Sequence, residues 1–183
     1  MRTTGKAQRL GLTSAVAAVA VGLTIVGCTK SVNGEPTANQ EQAAAYRSEA
    51  AASSAAATSS KKAAAQKTAL SDNCGKFRDR SGPAIKTFNE FVAASNQNAP
   101  DTKDKQTTAS RDLRKSADDV ESAVRSSGEA LPGNVSAKLG DYVAAARDLA
   151  VESERFSGSA AAINRAKDRF NATLEAARKE CGV

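Results

Sequence analysis

The sequence predicts an all-α fold: an antiparallel four-helix bundle, up-down-up-down, over residues 71–183, closed by a disulfide and preceded by a disordered tether. Three observations predict it. Apolar residues recur at helical spacing in four segments of roughly 20 residues each. No alternating strand pattern competes with them. Cys74 and Cys181 stand at the start of the first segment and the end of the last.

In the first segment Phe77, Ile85, Phe88 and Val92 keep one face, with Phe91 beside it. Ser81-Gly82-Pro83 is expected to kink or split this helix, because proline suits a first turn and lacks the N–H of a helix interior. "NQNAPD" then breaks the chain. The second segment carries Leu113, Ala117, Val120 and Val124 as an amphipathic stripe, ended by "SSGEALPG". The third carries Val135, Leu139, Tyr142, Val143, Ala146 and Leu149. "SGS" at 157–159 supplies a turn and a candidate N-cap for the fourth. That helix carries Ile163, Ala166, Phe170, Leu174 and Ala177, with Gly182 placed to end it.

Ahead of the bundle the chain changes character twice. Arg2, Lys6 and Arg9 precede an uncharged run, "LGLTSAVAAVAVGLTIVG", which ends at Cys28. A positive start, an apolar middle and small closing residues describe a secretory signal peptide over residues 1–27. An uncleaved transmembrane helix is the alternative, since about 20 uncharged residues reach across a bilayer. Ile25-Val26-Gly27-Cys28 resembles the lipobox of bacterial lipoproteins. That resemblance implies cleavage before Cys28, a diacylglyceryl thioether on its sulfur and residence on the extracytoplasmic face of the cell membrane. Two acyl chains hold a protein on a membrane where one does so only marginally. The Ala-rich composition and the "SVNGEPT" opening after the anchor resemble actinobacterial cell-envelope lipoproteins.

Residues 28–70 form the expected tether. Ala, Ser, Thr, Gln and Lys dominate, and Val32, Tyr46 and Leu70 are the bulky apolar residues. Such a segment buries too little surface to offset its ordering entropy, although its alanine runs favour transient helix around 40–68. Once Cys28 carries lipid, Cys74 and Cys181 remain as a pair. An up-down-up-down bundle brings those two points to the same end, so parity, compartment and topology agree on a Cys74–Cys181 disulfide, with two free thiols or an intermolecular bridge as the alternatives.

Composition then narrows the chemistry. The chain contains 26 basic and 20 acidic residues and no histidine. Much of the excess lies in Arg2, Lys6 and Arg9, so the folded part is nearly neutral and lacks the clustered basic face of a nucleic-acid binder. Without histidine there is no Ser–His or Cys–His nucleophile pair and no H-E-x-x-H zinc site. Asp118-Asp119 and Glu152/Glu154 are carboxylate pairs that do not face each other on a helix. Glu121–Arg125, Arg114–Asp118 and Glu175–Lys179 have the spacing of solvated surface pairs, and Lys76, Arg78 and Arg80 spread around their helix. The N-glycosylation patterns at Asn134 and Asn171 fall in or near helices and are discounted. No catalytic residue, metal site or cofactor is expected.

The expectation for function is a binding or scaffolding module, held to the membrane through Cys28, whose bundle meets another envelope protein or a cell-wall component. The alternative is an extracytoplasmic carrier of a lipid or other apolar ligand between the helices, with room beside Phe88, Tyr142 or Phe170.

Overall fold

A computed structural model describes residues 39–156 and 160–182. The expected signal peptide, the lipobox-like stretch with Cys28 and the "SGS" turn lie outside the described residues. Four helices follow one another: α1 (Gln40–Asn96), α2 (Thr102–Ser127), α3 (Gly133–Arg155) and α4 (Ala160–Cys181), with a short 3-10 turn at Gly128–Ala130 between α2 and α3. No strand occurs among the described residues.

The three seams between consecutive helices are antiparallel, which cross-links at two levels in each establish. Asn73 meets Ser127 and Arg80 meets Asp119 between α1 and α2. Gln106 meets Ser153 and Arg147 meets Asp118 between α2 and α3. Asn134 meets Glu180 and Asp148 meets Arg169 between α3 and α4. Cys74 and Cys181 close the ring between α4 and α1. The up-down-up-down bundle follows.

The apolar stripes of the sequence form its core. Phe77, Phe88, Phe91, Leu113, Val120, Leu139, Tyr142, Leu149, Ile163, Phe170 and Leu174 are all buried. The backbones of α2 and α3, and of α3 and α4, approach most closely. Buried alanines at 109, 117, 145, 146 and 150 permit this, since the side chains at a helix contact set the interaxial distance. α1 instead brings three phenylalanines inward and therefore rides farther out.

α1 departs from the expected boundaries. It runs unbroken for 57 residues, starting at Gln40 rather than near Ser71. The stretch read as tether is thus helical over 40–68, where every residue but half-buried Gln66 is exposed. Burial and helix formation are separate matters here. Alanine loses no side-chain entropy in a helix, so a long Ala-rich segment adopts one without a core to cover. Nor does Pro83 split α1. Gly82, Pro83 and Asp79 all lie on the exposed face, where water can satisfy the carbonyl that a proline leaves unpaired, while Phe77, Ser81, Ala84 and Phe88 hold the inner face against the core.

The helix ends use left-handed residues. Asn98 (φ 50°) closes α1 in a Schellman arrangement, with Ala99 N–H donating to Ala94 O at 2.9 Å. Gly182 (φ 68°) ends α4 as the sequence predicts.

Candidate functional site

The disulfide end of the bundle is built where α1 first becomes buried. Ala69 is the first buried residue of α1, and Cys74 follows about a turn and a half later. Its sulfur is bonded to Cys181 in the last turn of α4, with Cα atoms 5.4 Å apart. Beside it, buried Asn73 donates through Nδ2 to Ala69 O and to Ser127 Oγ, both at 2.7 Å. Within two residues, α1 is therefore fastened to the last turns of both its neighbours.

The middle of the core is aromatic and closed. Phe77 and Tyr142 meet edge to face with centroids 5.0 Å apart, and Phe170 lies against the other side of Tyr142 at 5.5 Å. The fully buried Tyr142 hydroxyl and the Ser116 hydroxyl are 2.7 Å apart. Burial pushes the Tyr142 phenol up to about 12 despite that hydrogen bond, because the phenolate would lose its hydration. Tyr142 and Phe170, two of the places where a carrier would need room, are thus packed against neighbours. Beside Phe88 there is an apolar notch of about 90 Å³, lined also by Phe91, Val92, Phe156 and Ile163. Small-molecule sites usually enclose about 300–1,000 Å³.

At the opposite end, Gln106 reaches from α2 into the C-terminus of α3. Its Nε2 donates to Ser153 O at 2.5 Å and lies 3.3 Å from the carbonyls of Glu154 and Phe156, while Lys103 Nζ donates to its Oε1 at 3.1 Å. One side chain from another helix so adds a donor at the end of α3, where the Ser153 carbonyl also accepts the Phe156 N–H.

Charged residues occupy the outer faces, and several choose partners other than those their spacing predicts. Glu121–Arg125 forms as expected at 2.9 Å. Arg114 turns from Asp118 to Glu154 on α3, which it holds through both Nε and Nη2. Asp118 is taken by Arg147, which also binds Glu121. Glu175 pairs with Arg178 instead of Lys179. A two-pronged guanidinium–carboxylate contact across a seam outcompetes a flexible pair on one helix. Hydrogen bonding from Arg147 holds the Glu121 carboxyl below its usual range, and Glu121 followed by Asp118 raises Arg147 in turn. Arg80, from the basic cluster of α1, lies 2.9 Å from Asp119. Among the described residues no three His, Cys, Asp or Glu side chains converge as a metal site, and no helix is long and apolar enough to cross a membrane.

Four antiparallel helices around an alanine- and phenylalanine-filled core, with the first and last joined by a disulfide, define a stapled helical-bundle domain. The chain belongs to the Rv2240c four-helix bundle domain family, which matches residues 56–182. This mycobacterial-type family fits the actinobacterial character of the sequence. The match begins inside the exposed half of α1, upstream of Ser71. No curated protein and no solved structure matches the chain.

Asn73, Gln106, Ser116 and Ser153 are buried polar residues that apolar periodicity passes over. Gln106 and Ser116 do lie on the stripe of Leu113 and Val120, where a polar residue on an apolar face was the available signal.

Proposed function

We propose that the protein is an envelope lipoprotein held by lipid on Cys28 at the extracytoplasmic face, whose bundle binds or scaffolds another envelope protein or the cell wall. The observation that carries the reading is the filled core: Phe77, Tyr142, Phe170 and the alanines of α2 and α3 pack against one another, so the surface remains as the part that meets other molecules. That surface is a mixed-charge one, laced with ion pairs across the seams, which favours protein or glycan contact over a phosphate backbone. The Cys74–Cys181 bond suits an oxidising compartment outside the cytoplasm.

Native mass spectrometry of the full chain, extracted from the membranes of an actinobacterial host, tests this reading. The expected spectrum carries the covalent lipid mass and nothing further. A discrete extra mass of small-molecule size, lost on denaturation, would turn the reading to the carrier. Photo-crosslinkers at exposed positions such as Arg111 and Asn171 should give discrete envelope adducts in intact cells.

A further inference from the structure

The exposed half of α1 is long and regular. Residues 40–68 are helical, and at about 1.5 Å per residue they extend about 43 Å. Between Gln40 and Cys74 there is no glycine and no proline, and twelve of the residues from 40 to 68 are alanine. Isolated helices become marginal below about 12–15 residues, and this segment has twice that length. Its base is equally definite. Where α1 enters the bundle, Asn73 is bound to the end of α2 and Cys74 to the end of α4. A helix emerging from a loop would swivel. This one continues without interruption into the core helix that carries Phe77, Phe88 and Phe91.

We propose that residues 40–68 are a rigid strut, fastened at its base by Cys74–Cys181 and Asn73–Ser127, that contributes a fixed length to the spacing of the bundle from the membrane. The spacing role rests on the lipid-anchor reading; the rigidity does not. A coil of the same 29 residues would have a mean span of about 30 Å and a broad spread. The helix replaces that spread by one value.

Two measurements on the full-length lipidated protein in phosphatidylcholine–phosphatidylglycerol vesicles test it. Spin labels on p-acetylphenylalanine at positions 47 and 67 leave the cysteines native. A narrow distance distribution near 30 Å is expected, from about 1.5 Å per residue, and Ala56→Pro should broaden it. A wild-type distribution as broad as that of Ala56→Pro would overturn the strut. For the spacing, a donor dye at position 171 reports energy transfer to an acceptor in the bilayer. Deleting residues 45–62, five whole turns, should bring the dye about 27 Å closer and raise transfer several-fold. Unchanged transfer, with both proteins sedimenting with the vesicles, would overturn the spacing role. Failure of the wild type to sediment would instead remove the anchor, and with it the spacing, leaving the label pair to decide the strut.

Discussion

The hydroxyls of Ser116 and Tyr142 lie 2.7 Å apart in the middle of the core, one from α2 and one from α3. Each is the other's answer to burial. Ser116→Ala should leave the phenol without a partner and cost about 1–3 kcal/mol, whereas the double change with Tyr142→Phe should cost less than the sum of the single ones. Urea unfolding of the three variants measures the cycle. Strict additivity would show that the pair is not coupled.

The same phenol makes stability fall in alkali. Its folded pKa, about 12, lies above the ordinary phenol value of 10.0, so between these limits the unfolded chain gives up a proton that the folded one keeps. Stability from this group is therefore complete below pH 10 and lost as pH approaches 12, by about 2–3 kcal/mol in all. Unfolding free energies across that range should slope downward more steeply in the wild type than in Tyr142→Phe.

Gln106→Ala should unfasten the end of α3. Removing the donor from the buried Ser153 carbonyl costs about 1–3 kcal/mol. Hydrogen exchange should accelerate in the last turn of α3 around Ser153 more than in its middle around Tyr142. Uniform acceleration along α3 would mean that Gln106 acts on global stability alone.

How much of this could be read from the sequence differs by helix. In α2, α3 and α4 bulky residues at helical spacing mark the buried face, and Leu113, Leu139, Leu149, Ile163 and Leu174 are found there. The Cys74–Cys181 pairing was legible because parity and topology point the same way. α1 was less so. Periodicity detects a face that needs covering, and residues 40–68 have none, so their helix had to come from propensity alone. Buried polar residues such as Asn73 and Gln106 depend on partners brought from other helices, which spacing along one segment does not encode. The exchange of Arg114 from Asp118 to Glu154 has the same origin.

Reducing the disulfide should lower stability by about 4–5 kcal/mol in the chain-entropy model, since the bond closes a loop spanning 107 positions. Thermal melts of the wild type with and without reductant, beside a Cys74→Ser/Cys181→Ser double variant, check the value. A reduced protein as stable as the oxidised one would show that the Ala-rich core suffices alone.

Cys28→Ser should move the protein from the membrane to the soluble fraction of an actinobacterial host. Retention at the membrane with residues 1–27 still attached would establish an uncleaved apolar segment as the anchor.

The position of the disulfide also decides how the domain bears load. Tension applied between residue 40 and residue 182 runs down α1 to Cys74, crosses the sulfur–sulfur bond and leaves through Cys181. The chain between those cysteines, which holds nearly all of the core, lies outside that path. Pulling between residues 40 and 182 cannot unzip the helices, because a covalent bypass carries the strain around them. A domain arranged in this way keeps its surface intact under tension along that line.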